Sequence, residues 1–371
     1  MIQDVFIVGA TGNIGRTLVK QILVSGDTNP DIHVNPTRIV GVASSANFIY
    51  QPRGISHEQA YSFADGQYSQ SQAYNGLGHL LSVARAGHKP ENSSLVFVDV
   101  TALNKPMTDF HLATIQSSPF GIVTANKNPA ALSDYGIFQE LTKDPNRYDY
   151  RCSVMAGAEA VSMLRDLKDI NDAPKTIQGC FSGTLGYITS ELEKGRKFSE
   201  IVKDAKDKGY TEPDPRDDLN GLDVARKLLV LARTAGYEVG IDDIDISPFI
   251  PQDYFNGGDV GSFLGSIKQL DAEFKAKMEQ AAERGMTFRY VANLDATKEV
   301  PKLEVSLKEV PLQSPLGNLK GTSNKIVIIS NSYPEENPYS VEAPGAGLRV
   351  TAQNIRRDLL YLLKDREIKI K

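Results

Sequence analysis

The feature that most constrains the fold is the alternation of short apolar runs with helical patterns in the first half of the chain. The apolar run Val5–Val8 leads into the glycine-rich turn GATGNIG and then into a helix with Ile14, Leu18 and Ile22 at helical spacing. Such alternation is typical of βαβ units on a parallel sheet. Further strands are predicted at Arg38–Ala43, Leu95–Val100, Ile122–Thr124 and Tyr148–Val154, and further helices at Gly78–Ala86, 111–116 and Ala130–Thr142.

The second half of the chain has a different organisation. Grouped helices followed by grouped strands favour an α+β unit over a continued parallel sheet. The polar stretch at residues 50–75 is expected to be irregular, and Thr351–Leu363 returns to a helical pattern. The helices of this half are predicted at 184–194, 198–208, 218–235 and 270–284, and its strands at 287–294, 302–309 and 325–331.

Composition excludes several classes of protein. The net charge is −5 and the basic residues are dispersed, which argues against nucleic acid as a partner. Cys152 and Cys180 have no metal-ligand spacing, so we expect two buried, reduced thiols and no metal site. The first residues carry neither a basic region nor a long apolar stretch, and no window reaches 18 apolar residues, so we expect a cytoplasmic protein.

The turn after the first strand is the best candidate for a phosphate site. Its glycines, Gly9, Gly12 and Gly15, follow a strand and precede a helix, where backbone N–H groups and the helix dipole favour a dinucleotide pyrophosphate. The spacing is one residue longer than the usual G-x-G-x-x-G, and a glycine-rich turn without a ligand is the alternative. The predicted cofactor contacts in this turn are Gly9, Thr11, Gly12, Asn13 and Ile14.

The end of the second strand bears on the choice of nucleotide. An enzyme restricted to NAD usually has an acid there, on the ribose 2′-hydroxyl. The segment 43–47 contains none, and Arg53 is a later candidate for a 2′-phosphate. The cofactor is therefore predicted to be NADP or NAD.

Polar residues also follow two later strands, at the edge where ligands of open parallel sheets bind. They are Asp99-Val100-Thr101 and Thr124-Ala125-Asn126-Lys127. A lysine in this place points toward the ligand crevice, and a solvated loop lysine is the alternative for Lys127.

The segment Gly209–Arg233, GYTEPDPRDDLNGLDVARKLLVLAR, combines two prolines, five carboxylates and a helix. Asp223 and Lys227 lie four residues apart and share a helix face, whereas Arg226 and Arg233 are expected to be exposed. Lys227 borders the apolar arc, where a partly desolvated lysine is a plausible proton donor. A surface ion pair is the alternative. The acids Glu212, Asp214, Asp217 and Asp218 favour recognition of an ammonium group on a small substrate.

This segment resembles the signature of homoserine dehydrogenases. The likeness covers nearly the whole chain, because DVT at 99–101, TANK at 124–127, FSGTLGYI at 181–188 and PGAG at 344–347 follow in family order. The chain is most similar to the dehydrogenase half of bifunctional aspartokinase–homoserine dehydrogenases, without the kinase part.

The resemblance implies a fold and roles for matching residues. It implies a Rossmann-type dinucleotide-binding domain at 1–155, completed by a C-terminal helix at 345–371, and an α+β catalytic and dimerisation domain with a mixed sheet at 156–344. Lys227 would be the acid/base on the carbonyl oxygen of aspartate semialdehyde, assisted by Lys127. Glu212, Asp218 and Asp223 would bind the substrate, and Thr101, Lys127, Gly209 and Gly347 would join Gly12 in contacting the dinucleotide. The small-molecule substrate would be bound by a homodimer.

One segment departs from the family pattern. Where the family has the pattern acid-x-x-V-G-A-G-x-P and a monovalent-cation site, this chain reads Arg151-Cys152-Ser153-Val154-Met155-Ala156-Gly157-Ala158-Glu159. We expect the Arg151 side chain to take the ion's place and to donate to the carbonyls of Val154 and Ala156, since a cation beside a guanidinium is repelled.

Two alternatives to a homoserine dehydrogenase are considered. The glycine turn also resembles that of aspartate-semialdehyde dehydrogenase, but that enzyme needs a cysteine nucleophile, and neither cysteine has the expected surroundings. A catalytically silent, nucleotide-sensing homologue would account for the unusual segment 151–159, but it leaves the retained lysines and acids unexplained.

Overall fold

The computed structural model describes residues 2–33, 35–89 and 93–362. The chain divides into two compact units, Met1–Gly157 together with Ala346–Lys371, and Ala158–Gly345. Among the described residues, no helix combines the length and the hydropathy needed to cross a membrane.

The first unit is built on a seven-stranded sheet in the order β4-β3-β2-β1-β5-β6-β7. Strands β2, β1, β5, β6 and β7 run parallel, and β3 and β4 extend the edge antiparallel. Its strands are β1 Ile2–Val8, β2 Thr37–Ala43, β3 Asn47–Tyr50, β4 Gln72–Ala73, β5 Ser93–Asp99, β6 Gly121–Thr124 and β7 Tyr148–Asp149. Its helices are α1 Asn13–Val24, α2 His57–Ala64, α3 Leu77–Gly87, α4 Lys105–Ser117, α5 Asn128–Ala131, α6 Tyr135–Thr142 and, from the end of the chain, α14 Leu348–Tyr361.

The core of this unit joins residues from both ends of the sequence. Val5 and Ile7 of β1 and Leu18 and Ile22 of α1 are fully buried together with Ile355 of α14. The end of the predicted C-terminal helix, residues 363–371, lies outside the described residues.

The second unit has a six-stranded mixed sheet in the order β13-β12-β8-β10-β11-β9, in which only the β9–β11 pair is parallel among the described pairings. Its strands are β8 Thr176–Cys180, β9 Ile244–Ile246, β10 Met286–Asp295, β11 Lys302–Pro311, β12 Ser323–Ile329 and β13 Tyr339–Pro344. Its helices are α7 Ala160–Asp169, α8 Gly183–Glu193, α9 Phe198–Asp207, α10 Arg216–Leu219, α11 Leu222–Thr234, α12 Val260–Ser266 and α13 Asp271–Glu283. The predicted fold class, a Rossmann-type parallel sheet plus an α+β unit with a mixed sheet, is confirmed.

Several local predictions were wrong. Residues 50–75 are not irregular, because a capping box between Ser56 and Gln59 starts α2 there. The last strand of the first unit ends at Asp149 rather than Val154, and two 3₁₀ turns follow it. Arg233 is 3% exposed rather than solvated, since its Nε donates to the carbonyl of Val239 at 2.8 Å.

Candidate functional site

The turn after β1 is shaped by two glycines. Gly9 has φ +89°, a left-handed conformation that favours glycine. A Cβ on Gly15 would lie 2.2 Å from the Gly9 carbonyl oxygen, so no side chain fits there. Gly12 stands at the N-cap of α1 without a capping side chain, and the first helical turn carries no acid. The N-terminal N–H groups of α1 therefore face a site suited to an anion.

The polar residues after β5 and β6 lie at the carboxyl edge of the sheet, as predicted, and they also contact one another. Buried Asp99 accepts from the Thr101 N–H at 2.9 Å and from the Thr124 hydroxyl at 3.1 Å. Asn126 donates to the carbonyl of Leu103 at 2.8 Å, tying the two loops together. Half-buried Lys127 immediately precedes α5, so the loop that carries it is fixed at the carboxyl edge of the sheet.

The end of β2 forms a tight hairpin into β3. The Ser44 hydroxyl accepts from the Asn47 N–H at 3.1 Å, and the strands pair antiparallel from Ala43 and Phe48. Because β3 runs back along β2, Arg53 lies near Arg38 at the start of β2, where both line one cavity. The interpretation of Arg53 as a partner for a 2′-phosphate at the other end of the strand was therefore wrong.

Arg151 does not occupy the place predicted for it. Its guanidinium pairs with the buried carboxylates of Asp149 at 2.8 Å and Asp358 at 3.0 Å. The carbonyl of Ala156 instead accepts from the Asn354 amide at 2.7 Å, and that of Val154 accepts from the Gly157 N–H at 3.1 Å. The prediction failed because the second carboxylate comes from α14, some two hundred residues later in the sequence.

In the second unit, Lys227 is held between two oxygen atoms. Its Nζ donates to the Phe181 carbonyl at 2.6 Å and to the Asp223 carboxylate at 2.9 Å, and its side chain is only 14% exposed. Asp223 is more accessible, at 43%. The i,i+4 pair predicted from sequence is therefore part of a partly desolvated cluster, and the Phe181 carbonyl is a partner that the spacing could not reveal.

The helix that carries Lys227, α11, begins directly after a left-handed glycine. The predicted helix 218–235 is interrupted at Gly221, whose φ is +78°, and Asn220 accepts from the Leu222 N–H at 2.8 Å. A Cβ on Gly221 would lie 2.0 Å from the Tyr290 hydroxyl, which donates to the Ser247 carbonyl. The short helix α10 and the longer α11 are therefore separate elements.

Asp218 connects the acidic segment to α8. Its carboxylate accepts from the Glu212 N–H at 2.8 Å, and the Thr184 hydroxyl lies 2.9 Å away. Burial raises the pKa of Asp218 to about 6, and the nearby Glu212 and Asp223 carboxylates act in the same direction. The Glu212 side chain is exposed beside it, so these acids form one cluster of negative charge.

The remaining acids of the segment have other roles. Asp214 accepts two hydrogen bonds from the Arg216 guanidinium, which lowers the Asp214 pKa, so this carboxylate is already neutralised. Asp217 is exposed. Gly209 has φ +69° after α9, and Gly347 is the N-cap of α14 in the first unit. Thr184 and Arg216 were not predicted as site residues, although both stand in segments that the sequence singled out.

Comparison with known proteins gives one family. The sequence model of the family described as homoserine dehydrogenase matches residues 160–360, more than half of the chain. A bifunctional aspartokinase/homoserine dehydrogenase 1 of Arabidopsis thaliana is 32% identical over 95% of this chain and 38% of its own length. That of Haemophilus influenzae is 31% identical over 97% of this chain and 43% of its own length. The chain thus spans about two fifths of these relatives.

Solved structures share the fold. A Candida auris protein described as of unknown function has a TM-score of 0.85 at 28% identity, covering 98% of this chain and 99% of its own. A putative homoserine dehydrogenase from Archaeoglobus fulgidus has a TM-score of 0.75 at 24% identity, covering 97% and 98%. A hyperthermophilic archaeal homoserine dehydrogenase solved with NADPH has a TM-score of 0.69 at 20% identity, covering 97% of each chain.

Proposed function

This chain belongs to the homoserine dehydrogenase family, and we propose that it reversibly reduces L-aspartate 4-semialdehyde to L-homoserine with a nicotinamide dinucleotide. The observation that carries the proposal is the Lys227 ammonium, held at a carbonyl and a carboxylate beside a cluster of acids. The proposed dinucleotide-binding domain is 1–155 with 345–371, and the proposed catalytic and dimerisation domain is 156–344.

Lys227 is the proposed acid/base. Its contacts with Phe181 and Asp223 use two of its three N–H bonds within the described part of the chain, which leaves a third for the substrate oxygen. In the reducing direction, a lysine N–H bond would break as the proton passes to the substrate carbonyl oxygen. A bound nicotinamide dinucleotide would supply the hydride. In the reverse direction the lysine takes the hydroxyl proton. Lys127 is proposed to assist from the first unit.

The acids are proposed to bind the polar groups of the amino-acid substrate. Glu212 and Asp223 have accessible carboxylates, and Asp218 is anchored by the Glu212 N–H. A cluster of negative charge suits an α-ammonium group, because charge-assisted hydrogen bonds are among the stronger polar contacts. Asp218 therefore combines a structural contact with a proposed contact to substrate.

The dinucleotide is proposed to bind at the turn after β1. Gly9, Thr11, Gly12, Asn13 and Ile14 would contact its pyrophosphate, since Gly12 leaves the start of α1 uncapped. Thr101, Lys127, Gly209 and Gly347 are proposed as further contacts. Because no acid stands at the end of β2, the site is proposed to accept NADP, with its 2′-phosphate, as well as NAD. The archaeal relative solved with NADPH is consistent with this choice.

We further propose that the enzyme acts as a cytoplasmic homodimer in threonine and methionine biosynthesis. The plant relatives are described as chloroplastic, so localising a tagged copy of the protein tests the compartment. Sedimentation of the purified protein tests the dimer.

The proposal is tested by following NADPH absorbance with aspartate semialdehyde, using Lys227→Ala as the control. A homoserine dehydrogenase consumes NADPH, and a silent homologue leaves the absorbance unchanged with and without substrate. An aspartate-semialdehyde dehydrogenase would instead produce NADPH from NADP, phosphate and the aldehyde. The buried thiols oppose that outcome, since burial raises the pKa of Cys180 to about 12 and that of Cys152 well above its ordinary value.

A further inference from the structure

The Arg216 guanidinium lies between the acidic segment and a glycine loop. On one side it is bidentate to the Asp214 carboxylate, with Nε at 3.0 Å and an outer nitrogen at 2.6 Å. On the other side it donates to the carbonyls of Gly257 at 2.9 Å and Gly258 at 3.3 Å. The guanidinium carbon also lies over the Phe263 ring, 5.4 Å from its centroid, and the side chain is only 16% exposed.

The glycine loop has the backbone conformation that this contact needs. Gly257 and Gly258 have φ values of +73° and +72°, so two consecutive residues adopt the left-handed conformation. Both also border a cavity of about 490 Å³, so the loop is not packed against a core on that side. The guanidinium thus links this loop directly to the acidic segment.

The same link fixes the residue proposed to bind substrate. Arg216 begins the single-turn helix α10, and Asp218 lies two residues later in it. The far end of the turn is held separately, by buried Leu219, whose carbonyl accepts from the Phe249 N–H at 2.8 Å. With both ends held, the Asp218 carboxylate has a defined place.

The charge of Arg216 also separates the acids into two groups. The guanidinium neutralises Asp214 and lowers its pKa. The carboxylates of Glu212, Asp218 and Asp223 are not among the groups that contact the guanidinium in the described chain. An ammonium group entering the cluster therefore meets these three acids rather than Asp214.

We propose that Arg216 is a positioning residue for substrate binding: by joining the Asp214–Asp218 turn to the Gly257–Gly258 loop, it places the acids that receive the substrate ammonium group. This inference rests on the proposed homoserine dehydrogenase activity. Lysine cannot replace arginine here, because a single ammonium does not reproduce a planar fork bonded on two sides.

The test is a steady-state comparison of the unchanged protein with Arg216→Lys in the direction of homoserine oxidation. We expect the KM for homoserine to rise about tenfold, with kcat changed by less than about threefold and the KM for NADP unchanged. A merely structural defect would lower kcat and impair cofactor use as well. Arg284→Lys is the matched control, because Arg284 makes an exposed pair with Glu309 on the same unit, and it should leave all three constants unchanged.

Asp214→Asn is the second variant, in case Arg216→Lys does not fold. It removes the charge facing the guanidinium but keeps the carbonyl contacts, so we expect a smaller rise in the KM for homoserine, about threefold. If the folded variants keep a KM within about twofold of the unchanged protein, the inference is overturned while the proposed function stands. If the unchanged protein does not oxidise homoserine at all, the proposed function falls and this inference with it.

Discussion

Replacing Asp218 with asparagine should stabilise the protein while impairing it as an enzyme. Burial and the neighbouring acids raise the pKa of this carboxyl from 3.8 to about 6. A rise of about two in pKa corresponds to about 3 kcal/mol of unfavourable free energy for the ionised form in the fold. Since the group is partly exposed, solvent screening reduces this to about 1 kcal/mol.

Asparagine can satisfy the same hydrogen bonds without the charge. Its carbonyl oxygen accepts from the Glu212 N–H, in place of the carboxylate contact at 2.8 Å. Its amide donates to the Thr184 hydroxyl, which in turn donates to the Tyr210 carbonyl 2.5 Å away. No polar atom loses a partner, so the removal of charge dominates the change in stability.

The size of the stabilisation depends on pH. Because the pKa of Asp218 is higher in the fold than in the unfolded chain, its unfavourable contribution is absent below about pH 4 and complete above its folded pKa of about 6. At pH 8, Asp218→Asn should raise the melting temperature by about 2–4 °C. At pH 4.5 the gain in free energy should fall to about a third.

Thermal unfolding of Asp218→Asn and the unchanged protein at several pH values measures the stabilisation. Homoserine kinetics at pH 8 measure the loss of activity. We expect the KM for homoserine to rise at least tenfold, or about 1.4 kcal/mol, because the carboxylate proposed to accept from the ammonium group is lost. A variant less stable than the unchanged protein at pH 8, or a stability gain independent of pH, would refute the account of Asp218 as an unfavourably buried carboxylate.

Four further predictions concern Lys227, the choice of nucleotide, Gly221 and the response to monovalent cations. Lys227→Ala should lower kcat by roughly 10²–10⁴ while NADPH binding, measured by fluorescence, stays intact; more than about a tenth of the activity would exclude an essential acid. NADPH should have a specificity constant at least equal to that of NADH, and a tenfold preference for NADH would contradict this. Gly221→Ala should destabilise the protein by roughly 2–4 kcal/mol in thermal unfolding, because the added Cβ would meet the Tyr290 hydroxyl. Gly195 is also left-handed but has open space around it, so Gly195→Ala should destabilise the protein by only about 1 kcal/mol. Activity should differ by less than about twofold between sodium, potassium and a bulky organic cation at equal ionic strength, because the carbonyls of Val154 and Ala156 already accept hydrogen bonds. Severalfold, saturable activation by one cation would contradict this.

Local features of the fold could be predicted from sequence. The strand, glycine turn and helix at the start of the chain are set by neighbouring residues, so the position of the glycine turn between β1 and α1 was predicted correctly. The pairing of Asp223 with Lys227 followed from helical spacing alone. Both cases depend on residues a few positions apart.

The missed features depend on residues far apart in sequence. Arg151 was assigned to nearby carbonyls because its partner on α14, Asp358, could not be identified without the fold. Strand β8 was not predicted, since it obtains its hydrogen bonds from β10 and β12, which lie more than a hundred residues later in the sequence. The contact between Arg216 and the Gly257–Gly258 loop likewise spans some forty residues.

The return of the chain to the first unit, in helix α14, has a consequence for the order of folding during synthesis. Ile355 and Leu359 are fully buried in the core that Val5 begins, so this core is incomplete until the last helix has been made. The second unit is one continuous segment, Ala158–Gly345, and all of its strands are available before α14 leaves the ribosome. At about 5–20 residues per second, the nascent first unit waits roughly 10–40 s without its closing helix. The unit that is translated first is therefore the unit that is finished last.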